Sequence, residues 1–531
     1  MDGYSRFRRA SRFFAPEVGD RRWSLRVVTA SVLLAWLFVS SAAAAQDSEP
    51  ESPPDLPPGL DTPTDDSESG ETSGPALPEG LGTDPPDDPA LPAGLDESRQ
   101  QGPDLPSGLG GEAETDGQGE RTQDAAGSSA FLDTVTGFWD LRAGLRVRED
   151  PNQRATSLGE TRLQLSRDTY FGDALLRLTT DLVYDDLAAG QSVRLEQGSG
   201  WLDLREAYFG TAVGNAVDLR LGRQALTWGV GDLLFLNDLF PKDWNSFLTG
   251  RDIEYLKAPS DSLRLAFYLP AFNLDLVYTP KFEPDRFVDN RRLSFFDPRF
   301  GEVVGRNVVS MPDRPDDWFD DEEVAFRLYR LVAGWELAAY GYRGFWKSPE
   351  GFDPVTGRPV FPALSTWGAS ARGALGAGIL SLETAWYRSR DDRSGTDPFL
   401  PNSQIRVLAG YEQELRPDFT LGIQYYLERT LDHDALVANQ PPGLRPPDEN
   451  RHLLTLRATL LTHSQNVTWS LFTFASPSDE DAYLRGSWTW KATDSWSLSA
   501  GFNLFEGQSE QTFFGQFETN SNIYAALRRG F

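Results

Sequence analysis

The chain has 531 residues, a formal net charge of −29, no cysteine and two methionines, alongside 15 Trp, 16 Tyr and 33 Phe. Lack of cysteine excludes a disulfide scaffold and a thiolate metal site, so hydrogen bonding and burial must hold the fold. After residue 45 no run of about 18 apolar residues occurs, which excludes a membrane-spanning helix there but not a barrel, whose inward-facing residues dilute hydropathy.

Residues 1–45 read as a secretory signal peptide. Arg21, Arg22 and Arg26 precede an apolar run over 27–39, and Ala43-Ala44-Ala45 gives a small-residue exit before Gln46. The apolar core is too short and too poorly flanked for a stop-transfer helix.

Residues 46–130 form an acidic Pro/Gly-rich segment with 21 Asp and Glu against two Arg. Of the total −29, this segment carries −19 and the first 45 residues +4, leaving −14 for residues 131–531. Low hydrophobicity with high net charge predicts a disordered tail, here on the periplasmic side, and no nucleic-acid partner is expected. The motif L-P-x-G-L occurs four times: Leu56 to Leu60, Leu77 to Leu81, Leu91 to Leu95 and Leu105 to Leu109, at intervals of 21, 14 and 14 residues. Each copy could be a short turn presenting two leucines to a periplasmic partner, with the shared tether raising effective concentration. The alternative is duplication drift in a neutral linker.

From 131 onward the texture is all-β. The first segment sets Trp139, Leu141, Ala143, Leu145 and Val147 on one face and Asp140, Arg142, Gly144, Arg146 and Arg148 on the other. About 18 such two-periodic segments follow one another to the C-terminus. Their connectors alternate between long (229–261, 280–322, 346–363, 390–402, 429–449) and short (210–215, 270, 375–376, 415–417, 462–464, 492–494). Short turns on one side and longer loops on the other predict a transmembrane antiparallel β-barrel of about 18 strands (16–18) over 131–531. An even strand count puts both chain ends on the short-turn side. Phe138, Trp139, Tyr184, Tyr425, Tyr426, Trp488, Trp490 and Trp496 near strand ends are candidate interface girdles.

If the apolar face meets lipid, the other lines the interior. It carries Arg142, Arg146, Arg148, Arg162, Arg177, Arg220, Arg264, Arg327, Arg406 and Arg457, with Asp140, Asp181, Asp218, Asp275, Glu336 and Glu412 among them. An arginine on lipid costs roughly 2–4 kcal/mol at the bilayer midplane, which fixes the facing. Arginine concentrates in the early strands, so Arg142, Arg146, Arg162, Arg177, Arg220 and Arg264 are the candidate pore-lining set. They form either a basic wall that favours anions or a ladder of internal salt bridges.

The strongest local pattern is Arg205-Glu206-Ala207-Tyr208, then Leu219-Arg220-Leu221-Gly222-Arg223-Gln224, then Trp228-Gly229, followed by Asp232, Asp238, Pro241 and Asp243. This resembles a large group of proteobacterial porin-like barrels, close in style to alginate-export-type proteins and substrate-selective porins. The resemblance covers 205–243 and rests on Glu206, Tyr208, Gly222, Arg223, Gln224, Trp228 and Gly229; it implies an outer-membrane channel without naming a solute. The next loop, 229–261, is rich in Phe, Trp and Leu. Such a loop is expected to fold into the mouth and narrow the pore; the alternative is that it packs on neighbouring loops or a partner subunit.

Residues 313–323 (DRPDDWFDDEE) lack the spacing and glycine of a calcium loop and read as a solvated outer loop. His433, His452 and His463 are the three histidines, and the adjacent residues Thr462-His463-Ser464 cannot face one another as a catalytic triad requires. No enzyme activity, cofactor or metal is expected. The C-terminus alternates through Ile523, Ala525, Leu527 and Arg529 to a terminal Phe531. That ending resembles the insertion signal of Gram-negative outer-membrane barrels, departing from it at Arg529. It implies outer-membrane lipid and the barrel assembly machinery as partners, with Phe531 as the assembly signal. The expected function is a channel for small polar or anionic solutes; the alternative is a barrel scaffold whose tail recruits an export or electron-transfer complex.

Overall fold

The computed structural model describes residues 134–187 and 190–531. The expected signal peptide, the acidic segment and its four leucine repeats lie outside the described residues. Among the described residues, 18 strands form one sheet closed on itself. In chain order they are β1 Thr136–Arg146, β2 Thr156–Phe171, β3 Ala174–Asp185, β4 Leu202–Val213, β5 Val217–Ala225 and β6 Pro259–Tyr268. Next come β7 Asn273–Thr279, β8 Glu323–Val332, β9 Trp335–Phe345, β10 Ala363–Leu375, β11 Gly378–Ser389 and β12 Gln404–Arg416. The last six are β13 Phe419–Thr430, β14 Asn450–Thr462, β15 Val467–Ser476, β16 Asp481–Lys491, β17 Trp496–Gly507 and β18 Asn522–Gly530. Each pairs antiparallel with the next, and β18 returns to β1 with Gly530 opposite Phe138 and Asn522 opposite Arg146. Closure leaves no strand edge unpaired, which is what a sheet in an apolar medium requires.

The expected alternation sets the two faces. In β1, Asp140, Arg142 and Gly144 are buried inside, while Leu141 and Leu145 are 46% and 53% exposed. Leu178, Leu221, Trp367, Trp386 and Ile423 continue this outward apolar belt around the barrel. The turn between β8 and β9 is two residues, Ala333 and Gly334, both at positive φ, the twist that a tight hairpin needs. On the opposite side the connections are long, reaching 226–258 between β5 and β6 and 280–322 between β7 and β8.

Several details differ from the sequence reading. β5 ends at Ala225, not at 228, because Leu226 onward turns into the barrel; the long loop therefore spans 226–258. Phe138 and Tyr426 are not girdle residues. Phe138 shares its inward parity with Asp140 and lies under the Arg528 guanidinium, 3.8 Å from the ring centroid. Tyr426 is 5% exposed inside the barrel and donates to Glu428 at 2.6 Å. Trp139, Tyr184, Tyr425 and Trp490 do stand outward and exposed.

Phe531 continues the seam: its backbone N donates to the Gly137 carbonyl oxygen and its own oxygen accepts from the Gly137 backbone N, each at 3.0 Å. Deleting Phe531 is expected to lower the yield of heat-modifiable barrel in outer-membrane fractions. Equal yield from the truncated chain would remove both its assembly and its seam role.

Candidate functional site

The segment encoded by the 205–243 pattern builds an infolded loop. Gly222 sits at φ 126°, and a Cβ there would fall 2.3 Å from the Ala207 carbonyl oxygen, so only glycine fits this close strand contact. Arg223 donates to the carbonyls of Leu204 and Leu195 and to Asp261. Gln224 is buried and donates to the Ser262 carbonyl at 3.1 Å. Tyr208 is buried, with Arg220 above its ring, and Glu206 lies near Thr179 on the neighbouring strand, 3.5 Å from its hydroxyl. Trp228 meets Phe240 edge-on at 4.8 Å, and Gly229 brings the chain against the Glu383 carboxylate. Asp243 caps the short helix α1 (Trp244–Thr249) by accepting from Ser246 N at 2.8 Å.

The loop then crosses the barrel, held on two sides by different physics. Toward the later strands it is apolar: Leu226, Leu233, Leu236, Phe240, Phe247, Leu248 and Leu256 share one core with Tyr387, Tyr426, Phe472, Phe474, Tyr483 and Phe505 from the wall. Phe247 packs edge-on against Tyr483 at 5.6 Å, and Tyr483 stacks on Phe505 at 4.6 Å. Glu383 of β11 accepts from the backbone nitrogens of Val230, Gly231 and Asn237 at 2.9–3.1 Å and from the Asn237 side chain at 2.8 Å. Asp232 pairs with Arg457, and Gln424 both donates to and accepts from the Asp232 backbone. Toward the early strands the contacts are ionic. Arg142 donates to Gly250 O at 3.0 Å and pairs with Asp252 at 2.7 Å, and Arg251 donates to Glu160 at 2.9 Å.

The six candidate pore-lining arginines all sit on inward faces but differ in pairing. Arg142 also pairs with Asp140, Arg162 with Asp181 and Glu160, Arg177 with Asp168 and Arg264 with Asp275. These four therefore take the salt-bridge-ladder arrangement. Arg146 donates to the carbonyls of Arg154, Thr156 and Arg292. Arg220 lies on Tyr208 with no carboxylate partner among the described residues. Arg148 is beyond the end of β1 and pairs with Glu506 and Glu518.

Above the early strands, on the long-loop side, is a cavity of about 340 Å³. Its walls come from the 186–201, 226–258 and 280–322 loops and from Arg162, Val183 and Asp185. Seven arginines (Arg162, Arg194, Arg251, Arg286, Arg291, Arg292 and Arg314) face four aspartates (Asp185, Asp243, Asp285 and Asp289). Of these arginines only Arg162 belongs to the candidate set; the others lie in loops, where no two-periodic pattern marks them. The doublet Arg291-Arg292 was the one available signal. Arg286 is fixed by a two-pronged pair to Asp203 at 2.7 and 2.8 Å. Burial pushes the Asp285 carboxyl up, although it accepts from Lys242 N, Trp244 Nε1 and Ser348.

Glu283, at the base of the 280–322 loop, is buried, and burial is the main reason its carboxyl is pushed up to about 7. Arg223 opposes the shift while Asp261, Glu196 and Glu323 add to it. Lys347 binds its backbone oxygen at 2.9 Å. Because the folded value lies above the unfolded one, its contribution is full below about pH 4.5 and is lost as pH rises through about 7. Amide exchange in the 280–322 loop should therefore quicken between about pH 5 and pH 7 beyond the intrinsic base-catalysed trend. Glu283→Gln should abolish that extra increase; an unchanged increase in the variant would refute this role.

The histidine rings do not converge: His433 Nε2 contacts Pro447 O, His452 Nδ1 the Tyr425 hydroxyl and His463 Nδ1 the Thr462 hydroxyl. In the acidic 313–323 loop, Asp316 pairs with Lys281 and Arg314.

No protein-family model matches the sequence, and no curated protein does. Among solved structures, OccK11 (OpdR) of Pseudomonas aeruginosa is 11% identical with a TM-score of 0.42, covering 75% of this chain and 96% of its own. OmpF of Salmonella typhi in complex with daunomycin is 9% identical with a TM-score of 0.38, covering 75% and 97%. A Rh. blastica porin mutant is 10% identical with a TM-score of 0.33, covering 75% and 99%.

Proposed function

We propose that this chain is a Gram-negative outer-membrane channel for small polar solutes with a preference for anions, its chain ends facing the periplasm. The observation that carries the reading is the 340 Å³ cavity on the long-loop side, lined by seven arginines, six of them paired with carboxylates and Arg194 with none among the described residues. Selectivity is set at the narrowest point, not by total charge, so the acidity of the whole chain does not oppose it. The apolar outer belt and the closed sheet suit a bilayer, where an open edge or an outward arginine would be costly.

Most wall arginines are paired, so the residues that act on a solute are those without a carboxylate, Arg146 and Arg220. Planar-bilayer recordings test this: Arg220→Gln should shift the reversal potential toward zero with the barrel intact. Arg142→Gln should instead act through the loop, since Arg142 holds Gly250 and Asp252. No shift in Arg220→Gln would return that residue to a structural role.

A second reading, a scaffold whose L-P-x-G-L tail recruits a periplasmic complex, is favoured by one observation: the apolar core formed by the loop and the later strands fills that side of the lumen. Full-length chain that gives no conductance steps yet retains periplasmic proteins through the tail would favour it.

A further inference from the structure

A second cavity, of about 150 Å³, adjoins the first through Leu187, Arg291 and Arg292. Five arginines line it, with Gln153, Thr156 and Leu187, and no carboxylate residue is in its lining. We propose that Arg146, Arg154, Arg291, Arg292 and Arg306 form a docking site for a phosphate-type oxyanion at the rim of the barrel; the inference rests on the anion-channel reading and extends it to a defined site.

Arg292 reaches Asp185 and Arg291 reaches Asp289, while Arg154 donates to the Asp186 carbonyl at 3.3 Å and lies 3.4 Å from its carboxylate. Arg146 spends its terminal nitrogens on backbone carbonyls, and its Nε is buried without a partner. The Arg306 side chain has no hydrogen bond or ion pair among the described residues, although its backbone N donates to Asn152 O. Two of the arginines around this cavity, the half-buried Arg146 and the exposed Arg306, thus have no carboxylate partner among the described residues, so an entering anion meets their charge unopposed. Burial, with Arg251 close by, lowers the proton affinity of Arg292, and Asp185 only partly offsets this.

Shape and rigidity agree with the charge. A single water needs roughly 10–15 Å³ of such space, so the cavity has room for a tetrahedral oxyanion with part of its hydration. Guanidinium forks match such oxygens with paired donors. By fastening the carbonyls of Arg154, Thr156 and Arg292, Arg146 ties the first outer loop to the 280–322 loop. Arg291 and Arg292 are held by Asp289 and Asp185 before a ligand arrives, which reduces the ordering cost of binding, while the Arg306 side chain orders on binding.

The test is calorimetric titration of the full chain, refolded in detergent, with inorganic pyrophosphate. Saturable one-site binding is expected, weakened at least about tenfold in Arg306→Gln and in Arg146→Gln. Arg306 has no side-chain partner to lose, so its variant stays informative even if Arg146→Gln fails to fold. Displacement of pyrophosphate by lipopolysaccharide, but not by its dephosphorylated form, would assign the anion to an outer-leaflet headgroup. Binding undisturbed by either would assign it to a free solute. Both outcomes support the site; absence of binding, or equal affinity in both variants, overturns it. Reversal potentials of the same preparations separate the two claims. Anion preference without pyrophosphate binding would sink the docking site alone, and binding by a cation-selective or non-conducting barrel would sink the channel reading alone.

Discussion

Excising residues 230–256 and bridging the gap with a short flexible linker should raise single-channel conductance by roughly an order of magnitude, because the constriction then widens to the barrel wall. An 18-stranded barrel is wide enough for an aqueous lumen, and in this one the loop occupies it. The loop is fastened at Glu383, Arg457 and Arg142, which lie on three separated strands, so it bridges the interior and does not hug one wall. Glu383→Ala should give a milder form of the same result. It frees the amides of Val230, Gly231 and Asn237, each costing about 1–3 kcal/mol if left unpaired, so the recording should show noisier, partly opened levels. Conductance of the excised barrel equal to that of the intact chain would show that the loop is not the constriction.

Arg286→Ala should be the most damaging single change at the mouth, at about 3–5 kcal/mol, because it strands a buried Asp203 charge. Both side chains are at most about 5% exposed, and the pair joins the 280–322 loop to β4. Arg162 and Arg205 lie near Asp203 at 4.0 and 3.9 Å and recover part of the loss. Amide exchange should accelerate in the 280–322 loop and in the 186–201 loop, whose Leu195 carbonyl accepts from Arg286. The double variant Asp203→Ala, Arg286→Ala should lose less than Arg286→Ala, since no lone charge then remains. A double variant worse than the single would mean that the pair holds the loop by packing.

The barrel is readable from the chain because each strand obeys two solvents at once. Trp139, Leu141 and Leu145 against Asp140, Arg142 and Arg146 leave one register only, and 18 repeats of that constraint give strand number and turn sides. The infolding of the 226–258 loop is readable for a related reason: an aromatic loop has to be buried somewhere. Pairing of the arginines is not readable. Arg162 meets Asp181 only because Gln164 stands opposite Asp181 in the β2–β3 ladder, and register at that resolution is not written in local pattern. Tyr426 misleads because an aromatic near a strand end suits a girdle as well as a core, and the 226–258 loop, about 170 residues earlier in the chain, decides between them. The mouth arginines, Arg251, Arg286 and Arg292 among them, lie in irregular loops where no periodicity assigns a direction.

Anion preference at the infolded loop is the proposal on which the selectivity of this barrel turns. The reversal potential of single channels formed by the full chain, under a KCl gradient at neutral pH, tests it most directly. Discrete conductance steps with a reversal potential on the chloride side of zero, weakened in Arg220→Gln, are expected. A potential on the potassium side, or a folded barrel that conducts nothing, would contradict the proposal.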